Sequence, residues 1–207
     1  MRVAVAGAGG HAKVVADALL LRGDGNLIGF FDDDRALWGR RIFGCPVIGP
    51  VAAWSDHPID SLVIAVGNNS RRKHLFEQLT ASGAALMTVV HPSAIVGREV
   101  TFGLGAVVLA GVVVNAGSII AENVILNTAC SIDHDNQVAA HAHVGPGVHT
   151  AGDVRIGEGA FLGVGASVLP AVSVGAWSIV GAGAVVTQDV EDRAKVAGCP
   201  ARHLESR

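Results

Sequence analysis

From Val96 to Val190 the chain repeats in sixes. Every sixth residue from Val96 to Val186 is large and apolar, with Thr150 the single exception. A small or short residue follows four places on, as at Ala106, Ser118, Cys130, Ala142, Ala160 and Ala184, and glycine follows directly at 97, 103, 145, 157, 163, 175 and 181. A helix would repeat apolar positions at three and four, and a half-buried strand at two. A period of six with glycine at the bends marks a hexapeptide β-helix, in which three sixes make one triangular coil of eighteen residues. Residues eighteen apart then stack on neighbouring coils at the strand spacing of about 4.8 Å. The uninterrupted count from Val96 supplies five coils.

The first ninety residues follow another rhythm. Arg2–Ala6, Leu27–Phe31, Ser61–Val66 and Ala85–Val90 read as strands, and Ala12–Arg22 and Arg71–Ser82 as helices. Strand–helix alternation predicts a parallel sheet with helices packed on it. Arg41–Val51, with two glycines and two prolines, reads as a looped excursion, and Arg71-Arg72-Lys73 as a solvated helix start, with a phosphate contact as the lesser alternative. The expected fold class is therefore α/β plus all-β: a Rossmann-like domain over 1–90, a parallel β-helix over 91–190 and a tail over 191–207.

Composition narrows the function classes. Half the residues are apolar and the formal net charge is −3, which argues against a nucleic-acid surface. Three cysteines at unrelated spacings suggest neither a disulfide framework nor a zinc knuckle. The N-terminus lacks the layout of a signal peptide, and no apolar run is long enough to span a bilayer. The expectation is a soluble cytoplasmic protein without membrane or nucleic-acid partners.

Ligands of open α/β sheets lie beyond the carboxyl ends of the strands. Three polar clusters fall at such ends: Gly7–His11, Asp32–Asp33 and Gly67–Asn69. The glycines admit a ligand to the backbone, and the helix start behind them favours an anion. An acid at the end of the second strand suits a ribose or sugar hydroxyl. Gly7 to Ala12 also matches the dinucleotide pattern G-x-G-x-x-A, but ninety residues hold one mononucleotide-binding half and not two. A smaller nucleotide-bearing ligand, such as a nucleotide sugar, fits better.

In the coil, chemistry should break the pattern. Val96–Val185 contains only eight charged residues, and two of them, Asp133 and Asp135, flank His134. The eighteen-residue stack places His134 between Ala116 and Gly152, two small neighbours that leave a notch beside the imidazole. A histidine next to a carboxylate can serve as a general base. Asp135 is the expected orienting partner, with Asp133 open as the alternative. His143 lies half a coil from His134 on the outward register. That register also carries Val107, Val113, Ile119, Ile125, Phe161, Ile179 and Val185, too apolar a face to remain in water. A closed cyclic trimer, with a groove between coils as the active site, is the expectation.

GAGGH, FFDDD, AVGNN, NTACSIDHD and GCPAR together resemble the NeuD/PglD-type sugar acetyltransferases over nearly the whole chain. The resemblance implies a left-handed coil, a homotrimer, acetyl-CoA as donor and a UDP-linked 4-amino sugar or another nucleotide sugar as acceptor. By position it implies that Gly9, Gly10, His11, Asp32, Asp33, Gly67 and Asn68 line the nucleotide-sugar site. His134 is the implied proton acceptor, with Asp135 raising its basicity. His143, Gly152, Val164 and Ala182 would contact acetyl-CoA. The family usually carries Glu beside its histidine, where this chain has Asp on both sides. A sugar O-acetyltransferase and a non-catalytic nucleotide-sugar binder are the alternatives. No metal is expected, because the histidine spacing differs from that of the zinc-binding hexapeptide proteins resembling carbonic anhydrase.

Overall fold

A computed structural model describes residues 1–204. Strand β1 (Arg2–Ala6) runs into helix α1 (Gly10–Arg22), then β2 (Asn26–Phe31), a short β3–β4 pair (Arg41–Ile42, Cys45–Gly49), β5 (Ser61–Ile64) and helix α2 (Asn69–Ala81). The sheet order is β3-β4-β2-β1-β5, parallel except for β3 against β4. The excursion over Arg41–Val51 is thus not a loop. Its turn residues close a hairpin, and β4 extends the sheet beside β2, with Phe30 opposite Val47.

Ala85–Val90 is not simply a fourth strand of this sheet. Leu86 makes one parallel bridge to Leu62, after which β6 (Val89–Val90) leaves and pairs with Val107–Val108 of the coil. One short segment therefore serves both sheets, and this positions the domain on the coil.

The coil is a three-sided prism of two-residue strands. Its faces hold six, five and eight strands, and from Val89 to Val186 the partners on each face are eighteen residues apart, as in Ile95–Val113–Ser131–His149. Most strands point one apolar residue inward and bury it, among them Ile120, Leu126, Ile132, Ile156 and Leu162. The corners turn through left-handed backbone at a fixed place in the repeat, at Gly117, Asp135 and Asp153 among others. The glycines directly after the apolar positions do not make these turns. They permit close approach: a Cβ at Gly103 would meet the backbone of Ala121 and Glu122 on the next coil within van der Waals contact.

Part of the outward apolar face has a partner within the chain. Val107 and Ile125 are buried in one cluster with Val15, Leu19 and Val63 of the N-terminal domain. Ile119, Phe161 and Ile179 stay exposed. The domain covers the first strands of the face that carries Val107 and Ile125, leaving Phe161 and Ile179 further along it exposed, while Ile119 lies on another face.

Candidate functional site

The N-terminal domain builds a cavity of about 690 Å³ at the carboxyl ends of β1, β2 and β5. All seven residues expected there, Gly9, Gly10, His11, Asp32, Asp33, Gly67 and Asn68, lie on its wall. Helices α1 and α2 both begin at it, and neither carries an acidic residue in its first turn. Two helix N-termini aimed at one space favour an anionic ligand. Asn68 caps α2, its side-chain oxygen accepting from Arg71 N at 3.0 Å.

The two acids differ in availability. Asp32 holds the first turn, accepting from Ala8 N (2.7 Å) through one oxygen and from Asp34 N (2.9 Å) through the other. Asp33 accepts from Val51 N at 2.9 Å through Oδ1 and has a second oxygen to offer. Arg71, His74, Leu75 and Gln78 of α2 complete the wall. Their spacing of three, four and seven is one helical face, a periodicity the sequence itself displays.

The second feature lies on a corner of the coil. The His134 ring sits directly against Gly152, where a Cβ would stand 2.5 Å from both Cε1 and Nε2. Its Nδ1 hydrogen-bonds Asp135 Oδ2 at 2.8 Å, and the ring is 62% exposed. Left-handed backbone at Asp135 (φ 59°) turns its carboxylate back along the corner. Gly117, one coil earlier, makes the space: a Cβ there would come within 2.6 Å of Asp135 Oδ1. Asp133 does different work. Its Oδ1 accepts from His134 N (2.8 Å) and from Asn115 Nδ2 (2.9 Å), so it fixes the backbone, not the ring.

The Asp135 hydrogen bond raises the His134 pKa above the usual 6.5, and the charges of Asp133, Asp135 and Asp153 act in the same direction. With Nδ1–H committed to Asp135, Nε2 carries the free lone pair beside Gly152. The Gly152 amide donates to no oxygen among the described residues.

His143 stands elsewhere in the chain. It is buried beneath the N-terminal domain, with Phe161 edge-on at 5.3 Å and His11 at 6.2 Å between ring centroids. Its two nitrogens are assigned by their neighbours. Asn127 Oδ1 accepts from Thr128 N, so Nδ2 faces His143 Nε2 at 3.1 Å and donates to it. Nδ1 therefore carries the proton and donates to Gly67 O at 3.2 Å. Burial, with Arg72 nearby, lowers the pKa of both His11 and His143 to about 4. Val164 and Ala182 lie exposed on another corner, joined through Gly183 N to Val164 O. Within one chain, then, Gly152 meets His134, while His143, Val164 and Ala182 are apart from it.

Arg72 contradicts the expected solvated helix start. It is 1% exposed, hydrogen-bonded across the domain boundary, and its pKa falls to about 10 through burial. Among the described residues no group of three or more His, Cys, Asp or Glu is gathered to hold a metal, and no helix is long and apolar enough to cross a membrane.

A parallel coil behind a small α/β domain, with a carboxylate-held histidine on a corner and a cavity at the sheet edge, defines a hexapeptide acyltransferase architecture. Residues 2–79 match the PglD N-terminal domain, and residues 153–188 match the bacterial transferase hexapeptide (six repeats). PerB from Caulobacter crescentus, solved in complex with CoA and GDP-perosamine, is 39% identical, with 99% of this chain and 98% of that one covered and a TM-score of 0.93. The acetyltransferase domain of PglB from Neisseria gonorrhoeae, solved with acetyl coenzyme A, is 40% identical over 98% of each chain, with a TM-score of 0.93. The UDP-N-acetylbacillosamine N-acetyltransferase of Bacillus subtilis is 39% identical over 110 residues, 52% of this chain. The chain spans about half the length of the curated relatives it matches. This chain belongs to the NeuD/PglD-type sugar acetyltransferases, with their small Rossmann-like domain and left-handed parallel β-helix.

Proposed function

We propose that the protein transfers the acetyl group of acetyl-CoA to the amino group of a nucleotide-linked amino sugar, of the UDP-4-amino-4,6-dideoxy or GDP-perosamine kind. One observation carries the chemistry: a histidine held by Asp135, its free nitrogen exposed in a notch that only glycine leaves open. The relatives solved with CoA, acetyl coenzyme A and GDP-perosamine support the choice of substrates.

The step follows from the geometry. Neutral His134 takes a proton at Nε2 as the sugar amine attacks the thioester carbonyl carbon. Asp135 stabilises the imidazolium that forms. The oxyanion of the tetrahedral intermediate needs a donor, and the uncommitted Gly152 amide is the nearest candidate. Collapse breaks the C–S bond, and the imidazolium proton passes to the departing thiolate. No covalent enzyme intermediate is required.

The cavity at Gly9–His11, Asp33, Gly67 and Asn68 would hold the nucleotide diphosphate and sugar, with Asp32 bracing its first turn. His134 and Gly152 occupy one corner of the coil, and Val164 and Ala182 another. A homotrimer brings the corner of one copy to the His143 side of the next, and acetyl-CoA would lie in the groove between them. The exposed Ile119, Phe161 and Ile179 favour that association. The cytoplasm is the proposed compartment. Acetyl-CoA turnover against UDP-, GDP- and dTDP-linked amino sugars tests the function. Acetylation of at least one amine is expected, and binding without any product would reject it. Sedimentation equilibrium should give three times the mass of one chain, and a monomer would reject the shared groove.

A further inference from the structure

Arg72 lies in the first turns of α2, and all its donor groups are occupied. Nε donates to Asn123 O at 3.1 Å, and Nη2 to His141 O (2.6 Å) and Ala142 O (3.2 Å), all on the coil. Nη1 donates to Val66 O (3.2 Å) and Gly67 O (3.3 Å) on the loop after β5, and to Asn69 Oδ1 (3.0 Å) at the start of α2. No carboxylate is among the six acceptors. An ion pair is therefore not the reason for burying this charge, which is costly to desolvate. The planar fork is the reason, because it reaches two sets of carbonyls at fixed angles.

The two sets belong to the two halves of the site. The loop Val66–Asn68 is a wall of the nucleotide-sugar cavity. His141 and Ala142 lie on the coil that carries His143, and Asn123 on the one before it. Gly67 O is the junction, accepting from Arg72 Nη1 and from His143 Nδ1. Asn69 adds a second tie, donating from Nδ2 to Gly159 O (3.0 Å) and Ala160 O (3.1 Å).

We propose that Arg72 is a positioning residue: its guanidinium fork sets the height of the Gly67–Asn68 wall over the coil, so that a sugar bound in the cavity presents its amine at the right level for transfer. Arg72 touches neither substrate. The inference depends on the cavity being the acceptor site, as proposed above. Lysine keeps the charge but offers a single ammonium, which cannot reach both sets of carbonyls together.

The test uses the full-length protein, with Arg72→Lys and Asn69→Ala measured beside the wild type. GDP-perosamine and a UDP-linked 4-amino-4,6-dideoxy sugar are titrated calorimetrically, CoA is titrated separately, and both KM values and kcat are determined. Arg72→Lys should weaken nucleotide-sugar binding at least tenfold and lower kcat by a similar factor. The KM for acetyl-CoA should stay within about twofold, and the rising limb of the pH profile should not move, since His134 is untouched. Asn69→Ala, which leaves the guanidinium in place, should shift acceptor binding in the same direction by a smaller factor and decides the matter if Arg72→Lys does not fold. Wild-type acceptor binding and kcat in a variant with a lowered melting temperature would overturn the proposal and reduce Arg72 to domain glue. Failure of the wild type to bind either nucleotide sugar would instead reject the reading of the cavity.

Discussion

Replacing Gly152 by alanine adds one methyl group at the point where the proposed base needs clearance. The new Cβ would stand 2.5 Å from His134 Cε1 and Nε2 and 3.1 Å from Nδ1. Non-bonded carbon atoms rest about 3.5–4.0 Å apart, so the ring must retreat by about 1 Å. The ring is 62% exposed and can swing into solvent, but the swing breaks the 2.8 Å bond to Asp135. Gly152 does not occupy the left-handed region, so alanine suits its backbone. A Gly→Ala change at a compatible position also trims the entropy of the unfolded chain, worth about 0.4–1 kcal/mol. The fold should therefore keep its melting temperature or gain slightly. A displacement of about 1 Å at the reacting centre can cost about 10²-fold in rate, equivalent to about 2.7 kcal/mol. The expected phenotype is a stable enzyme with kcat/KM lowered about a hundredfold, read from release of the CoA thiol with a chromogenic disulfide. A value within threefold of wild type would show that the notch does not position the base, and the mechanism would have to be abandoned.

Other outcomes follow from the same geometry. His134→Ala should reduce kcat by about 10²–10⁴-fold, the usual loss on removing a general base, and a turnover near wild type would reject the assignment. His134 works only when neutral and its pKa is raised, so activity should climb with pH along a limb centred above 6.5. Asp135→Asn removes the largest cause of that rise and should move the limb to lower pH, though Asp133 and Asp153 keep part of it; a limb that stays in place would exclude Asp135 as the partner. His11 and His143 behave in the opposite way. Their folded pKa values near 4 lie below the unfolded 6.5, so the unfolded chain binds protons first as pH falls. Stability should drop between pH 6.5 and 4, by about 3 kcal/mol per group at most, and denaturant midpoints that do not change across that range would contradict the burial of these rings.

The periodic part of the molecule could be read from its sequence because a coil of eighteen residues converts sequence distance directly into neighbourhood. His134 against Gly152 is such a pair. Gly117 beneath Asp135 is another, reached by the same count. Arg72 gave no comparable signal. Five of its six partners are main-chain oxygens, as far as 70 residues away, and any residue type would have supplied those. His143 shows the same limit: its outward position is correct for the coil, but the domain that folds down over it is a docking event no local pattern encodes. The choice between Asp133 and Asp135 depended on backbone handedness at one corner, which spacing does not contain. In the strand over Cys45–Gly49, proline and glycine suggested a loop, and only pairing with Phe30 made it part of the sheet.

The fixed eighteen-residue step also limits how this molecule can change length. Every rung of the prism is bonded to the one above and below, so the coil has no slack in which to hide an extra residue. One inserted between His134 and Gly152 would turn every later side chain inside out. A whole added turn would preserve the prism yet lift the glycine away from the imidazole. Growth and loss are therefore tolerable in the turn at Phe43–Gly44, while the span linking base to notch must keep its length residue for residue.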